Sequence, residues 1–185
     1  MSIGEPLRFD GRVAVITGAG GALGRSYAML LASRGARLVV NDLGTDSTGQ
    51  SAATAVVAEI RAQGGEAIAS VASVDHGEEI IAQALAQYGK VDIVINNAGV
   101  GKFSPVETLA VEDWHLMLET NLTGVFHCCQ EALPRMKIQR RPGLAVGKEP
   151  HTVPHMRGER EEFLHLEIFG GVEHNQRILL SGHDL

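Results

Sequence analysis

The chain has 185 residues, 44% of them hydrophobic and 21% charged, enough for one domain-sized unit with a real core. Its net charge of −6 gives no reason to expect nucleic acid or an anionic membrane as partner. The only cysteines, Cys128 and Cys129, are adjacent, a spacing that fits neither a zinc knuckle nor a CxxC redox pair.

There is no apolar run of the roughly 18 residues a membrane span needs, and residues 1–6 have neither the basic nor the apolar region of a signal peptide. The expected address is therefore cytoplasmic. Phe9-Asp-Gly11 reads as a turn feeding a first strand, residues 13–17, which is apolar, β-branched and continuous, as a fully buried strand requires. Gly18 to Gly21 breaks it, and residues 25–33 resume with helical spacing at Tyr27, Leu30 and Leu31. A strand, a glycine turn and a helix form the front of a dinucleotide-binding unit. The glycines let the backbone approach a pyrophosphate, and the helix aims its free N–H groups at it.

Residues 37–41 read as the second strand, ending in Asp42, 24 residues after Gly18. A carboxylate there accepts hydrogen bonds from ribose hydroxyls and repels a 2′-phosphate, so NAD is expected over NADP. A polar loop leads to a helix over 51–63 with Ser51 as N-cap. Strand three covers 66–71, followed by a loop with Asp75. A helix covers 78–88, strand four covers 91–95, and Asn96-Asn-Ala-Gly99 leaves it. A helical pattern then runs over 112–138, expected to kink or weaken at Pro134. Strands and helices alternating in this way predict an α/β, Rossmann-like doubly wound parallel sheet with strand order 3-2-1-4 for its first four strands, incomplete at the C-terminal side. Gly18, Asp42, Asp75 and Asn96 then all fall at the carboxyl ends, where the ligand crevice lies.

Thr17-Gly-Ala-Gly-Gly-Ala-Leu-Gly24, Asp75, Asn96-Asn-Ala-Gly99 and Asn121 together resemble the N-terminal half of a short-chain dehydrogenase/reductase. Leu7-Arg-Phe-Asp-Gly-Arg-Val, Gly24-Arg-Ser-Tyr-Ala28 and Asn41-Asp-Leu-Gly44 are similar to its hydroxyacyl-CoA dehydrogenase branch, found in peroxisomal multifunctional enzymes and bacterial relatives. The resemblance covers about residues 5–138. It implies an oxidoreductase acting on a secondary alcohol or ketone, in which a 3-hydroxyacyl-CoA is one candidate, and it alone would suggest a peroxisomal address. It implies a cofactor site at Thr17, Gly18, Gly20, Gly21, Ala22, Leu23, Gly24, Asp42, Asp75, Asn97, Ala98 and Gly99. Ala22 stands where the family's turn usually has its middle glycine. Asp75 would meet the adenine ring. Asn121 would be the active-site asparagine that interrupts its helix. The helix over 112–138 resembles the one through which family members associate, so a homo- or hetero-oligomer is the implied assembly.

The family's acid–base chemistry also needs a Ser and a Tyr-x-x-x-Lys after the long helix. The only tyrosines are Tyr27 and Tyr88; after Lys137 the only lysine is Lys148 and the only serine Ser181. Composition shifts at the same point: residues 1–138 hold 20 alanines and 3 histidines, residues 139–185 hold 1 and 5. The chain therefore divides into an NAD-binding Rossmann-type domain, 1–138, and a divergent tail, 139–185, whose origin in a shifted frame, an alternative exon or a truncation is left open. The functional alternative is a catalytically inactive NAD-binding module that pairs with a full-length relative. In the tail, His151 and His155 flank Pro154 and are not expected to bind metal. Residues 164–168 and 177–180 fit either a hairpin or disorder, and Leu144-Ala-Val146 is a candidate fifth strand that would cover the apolar edge of strand four.

Overall fold

The computed structural model describes residues 7–45, 48–139, 144–146, 164–168 and 176–180. Its centre is β1 (Val13–Thr17), whose five residues are all buried. β1 pairs in parallel with β2 (Arg37–Asn41) on one side and β4 (Ile93–Ile95) on the other. β3 (Glu66–Ser70) lies outside β2 and β5 (Leu144–Val146) outside β4, giving the order β3-β2-β1-β4-β5. The expected order of the first four strands is what forms, and the sheet is the Rossmann-like doubly wound type.

The reason lies in the alternation along β1. Ala14 and Ile16 point to one face, with Leu38 and Val40 of β2, and meet α1 (Ala22–Ser33) and α2 (Ala52–Ala62) through Ala28, Leu31, Val56 and Ile60. Val13 and Val15 point to the other face, with Val39 and Val94, and meet α3 (Gly77–Tyr88) and α5 (Gly124–Ile138) through Ile80, Ile81, Cys128 and Met136. A strand covered on both faces has no polar side, which is why its sequence reads as one apolar run. Each of these valines and isoleucines contributes about 1.5–3 kcal/mol by leaving water. Ser51 caps α2 as expected: its hydroxyl accepts from Thr54 N at 3.3 Å.

Several boundaries differ from the sequence reading. α1 begins at Ala22, three residues early, because Gly21 supplies an extended N-cap. α3 begins at Gly77, after a short 3-10 turn at Val74–His76. β4 keeps only Ile93–Ile95, although the Asp92 N–H before it still donates to the Val13 carbonyl at 2.9 Å. The single helical pattern over 112–138 resolves into α4 (Val111–Leu118), a π segment (Glu119–Thr123) and α5. The interruption lies at Asn121, while α5 continues through Pro134 to Ile138. Pro134 is exposed, so water can reach the main-chain acceptor it leaves free, and the buried Ala132 and Met136 on either side keep the helix against the sheet.

β5 joins β4 in parallel register, Val94 opposite Ala145, so the candidate fifth strand forms and β4 is not an edge. Beyond it β6 (Leu164–Ile168) and β7 (Gln176–Leu180) pair antiparallel, Leu166 opposite Ile178, as the hairpin reading requires. His151, His155, Lys148 and Ser181 lie outside the described residues, as do residues 1–6. Among the described residues no helix is long and apolar enough to cross a membrane, and no three metal-ligating side chains cluster.

Candidate functional site: the crevice at the carboxyl ends of the strands

β1, β2, β3 and β4 all exit at the same edge of the sheet, and their loops are tied to one another. At the end of β1, the Thr17 hydroxyl accepts from the main-chain N–H groups of Asn97 and Ala98, both at 3.1 Å. The Asn97 amide returns the contact, donating from Nδ2 to the carbonyls of Thr17 at 3.1 Å and Gly18 at 3.0 Å. Thr17 and Asn97 thus staple the β1 and β4 exits together. Asn97 Oδ1 is buried and has no partner.

Gly18 follows with φ of +63°, and a Cβ there would lie 2.7 Å from the Ala98 main chain. Only glycine meets both conditions, the left-handed backbone and the close approach. Ala19 N then donates to the Asn41 carbonyl at 2.8 Å, and Gly20 N to Asp42 Oδ2 at 2.8 Å. The other oxygen, Asp42 Oδ1, accepts from Gly44 N at 2.7 Å. One carboxylate therefore clasps the glycine turn to the loop after β2. Asn41, buried, joins β2 to the β3 exit by donating to the Ala72 carbonyl at 2.7 Å and Ser70 Oγ at 3.2 Å.

Gly21 caps α1 without any side-chain acceptor, and the first intrahelical bond runs from Arg25 N to Gly21 O. The N–H groups of Ala22, Leu23 and Gly24 precede that bond, so they belong to the turn that a helix cannot satisfy internally. Such a turn carries a positive partial charge. Asp42 lies to one side of it, and Asp75 lies on the loop after β3. The Ser73 hydroxyl holds the Asp75 carboxyl below the usual range against a desolvation penalty, with His76 and His127 adding smaller pulls. Asp75 Oδ1 is buried without a hydrogen-bond partner.

Asn121 sits in the π segment with both ends of its amide on Val100: Nδ2 donates to the carbonyl at 2.8 Å and Oδ1 accepts from the N–H at 2.9 Å. It anchors the loop leaving β4, and Gly99 lies directly beneath it. The sequence-derived set is thus drawn together: Thr17, Gly18, Gly20 to Gly24, Asp42, Asn97, Ala98 and Gly99 form one connected cradle, with Asp75 and Asn121 on its flanks. Two contributors escaped the sequence reading. Asn41 stood out only as part of a motif, and His127 offered no signal, because its partner is a main-chain carbonyl 52 residues away. Neither tyrosine is at this edge: Tyr88 lies at the opposite end of the sheet, its hydroxyl 3.4 Å from the Leu38 carbonyl and its ring under Arg37, and Tyr27 packs in the α1–α2 core.

A parallel sheet with a glycine turn, a bare helix N-terminus and a carboxylate clasp at one edge defines a nucleotide-binding α/β fold. The chain belongs to the short-chain dehydrogenase family, whose model matches residues 12–147. It is 50% identical over 137 residues to peroxisomal multifunctional enzyme type 2 of Drosophila melanogaster, covering 72% of this chain and 23% of that one. It is 37% identical over 138 residues to a 3-oxoacyl-(acyl-carrier-protein) reductase of Synechocystis sp., covering 73% of this chain and 54% of the reductase. Among solved structures, a 7α-hydroxysteroid dehydrogenase complexed with NADH and 7-oxo glycochenodeoxycholic acid superposes with a TM-score of 0.68 at 35% identity, over 76% of this chain and 53% of that one. The chain thus spans about half or less of the relatives it matches.

Proposed function

We propose that this chain is the nicotinamide-dinucleotide-holding half of a short-chain oxidoreductase, with NAD preferred over NADP. The observation that carries the reading is the order of charges along the crevice. A positive helix terminus at Ala22, Leu23 and Gly24 suits the pyrophosphate, while Asp42 suits ribose hydroxyls and Asp75 an adenine amino group. Each oxygen of Asp42 already accepts one backbone N–H and retains a lone pair for a hydroxyl. Thr17, Gly18, Asn97 and Ala98, stapled to one another, would form the floor under the dinucleotide together with Gly99. The NADH-bound steroid dehydrogenase of the same fold supports this assignment by analogy.

The bound nicotinamide would exchange hydride with a secondary alcohol or ketone, and the relatives make a 3-hydroxyacyl thioester the leading candidate class. Asn121 would brace the loop over that reacting end. The proton that accompanies hydride needs an acid–base group, and neither tyrosine of this sequence can reach the crevice. We therefore expect binding to exceed turnover by far, since losing such a group typically removes a factor of about 10²–10⁴ in rate. Fluorescence titration with NADH and NADPH tests the cofactor assignment. NADH should saturate and bind tighter; Asp42→Asn should weaken NADH by about tenfold or more and narrow the gap to NADPH. Equal affinities in the parent protein, or an unchanged ratio in the variant, would remove Asp42 from the site.

A second reading, association with another copy or with a full-length relative, is favoured by one surface. Val111, Trp114, Leu122 and Phe126, along α4, the π segment and α5, are each at least 44% exposed. Apolar groups gathered on one helical face signal an interface. Sedimentation of the parent protein should give a dimer or larger, and Phe126→Glu should shift it toward monomer. A monomeric parent that also fails to capture a full-length relative would dismiss this reading.

A further inference from the structure

His127 lies on α5, half-buried, away from every motif that marks the crevice. Its Nδ1 is 2.6 Å from the main-chain oxygen of Asp75. A carbonyl only accepts, so Nδ1 carries the proton, whether the ring is neutral or charged. The neighbouring contacts allow little slack. Gly77, two residues past Asp75, is buried, and a Cβ on it would come within 2.5 Å of the Cys128 main-chain nitrogen. The turn Val74–His76 is thereby pressed onto α5 by backbone contact on one side and pinned by an imidazole hydrogen bond in its middle. On its other side Asn41 holds the Ala72 carbonyl at 2.7 Å. With the main chain held at 72, 75 and 77, the turn sets where the Asp75 carboxylate starts from; its side chain is 43% exposed, with Ser73 on the carboxylate and Oδ1 buried without a partner.

We propose that His127 is a positioning residue for base recognition: by donating Nδ1–H to the Asp75 carbonyl it sets the 73–76 turn so that the Asp75 carboxylate meets an exocyclic amino group of the bound nucleotide. This rests on the dinucleotide reading above, and it deepens that reading by making the site select adenine over hypoxanthine. An amino group at the ring's 6-position donates to the carboxylate. The keto oxygen of hypoxanthine at that position brings lone pairs to the carboxylate instead, an unfavourable contact between two acceptors.

The probes are NADH and its hypoxanthine analogue, titrated into the full chain. The parent protein should bind NADH about tenfold more tightly than the analogue, the discrimination expected of one charge-assisted hydrogen bond. His127→Leu removes the donor, and His127→Gln carries its amide nitrogen near the Nε2 position instead. Both should lose most of that preference while binding the analogue as the parent does. His127→Asn, whose amide nitrogen lies near the Nδ1 position, should retain it. Long-range ¹⁵N–¹H NMR should find the parent's His127 protonated at Nδ1 at high pH. If His127→Leu and His127→Gln weaken both nucleotides equally, or keep the parent's preference, His127 does not position the base reader. A parent that binds both nucleotides equally overturns base selection itself. A parent that binds neither overturns the dinucleotide reading instead, which separates the two failures.

Discussion

Asp92 is buried, its side chain 2% exposed, and stays charged because three donors reach it. Lys90 Nζ is 2.8 Å from Oδ2, Val13 N donates to the same oxygen at 2.8 Å, and Arg12 Nη1 lies 3.2 Å from Oδ1. Burial alone would push this carboxyl up; Lys90, the Val13 N–H and Arg12 together outweigh it and hold it below the usual range. A carboxyl depressed in the folded state stabilises fully above its unfolded value, near 4, and that contribution is lost as pH falls through the lower folded value. Asp92→Asn strands the charges of Lys90 and Arg12 and should cost about 3 kcal/mol at pH 7 in urea denaturation, against the 3–5 typical of a broken buried pair. Both cations keep some access to water, which holds the loss to the low end. The difference between parent and variant should shrink below pH 4. A gap that stays constant down to pH 2 would mean that Asp92 is not the acid-sensitive group.

At the scale of the element, the π segment Glu119–Thr123 is where the long helix gives way, and its product is the pair of bonds from Asn121 to Val100. The wider turn sets the Asn121 amide beside the loop leaving β4. Asn121→Ala leaves the half-buried N–H and carbonyl of Val100 without their partners and should cost about 1–3 kcal/mol. Amide exchange at Val100 should accelerate, while that of β1, protected only by global unfolding, changes no more than overall stability does. Unaltered protection at Val100 would show that the loop holds itself. The sequence made the strands easy to read, because β1, β2 and β4 repeat a β-branched apolar run between glycines, and the cradle could be read from Gly18, Asp42 and Asn97. Pro134 could not be weighed from sequence, because its penalty depends on whether water reaches the acceptor it frees, which is a fact of burial; the helix runs through it. β5 was visible only as three apolar residues, too short for periodicity, and its place depends on the edge that β4 offers. His127 was invisible because its partner is a main-chain oxygen, as is the Ala72 carbonyl that Asn41 holds, and main-chain atoms leave no trace in residue identity.

Across the whole molecule, the two cysteines report on integrity without any engineering. Cys128 and Cys129 are both buried between α5 and the sheet, Cys128 completely. Burial pushes the Cys128 thiol up to about 12, with the neighbouring thiol and Glu78 adding to it. Burial also raises Cys129, with Asn96 Nδ2 at 3.3 Å from its sulfur pulling slightly the other way. The thiolate is the reactive form, so neither should be alkylated at pH 8 in the folded chain, and labelling should proceed only through opening. The crevice and the thiols share one sheet: Asn96, which leaves β4 at the cradle, touches Cys129, and the turn carrying Asp75 rests on α5. A nucleotide that binds only the closed form must then slow labelling by the factor 1 + [L]/Kd, about a hundredfold with NADH at a hundred times its dissociation constant. Mass spectrometry of iodoacetamide adducts over time measures this without a substrate or a catalytic assay. Slowing at both cysteines by the same factor would make the crevice and the α3–α5 layer one cooperative unit. Rapid labelling that NADH leaves unchanged would mean that α5 opens independently of the crevice, and the cradle would then have to hold its shape through β1, β2 and α1 alone.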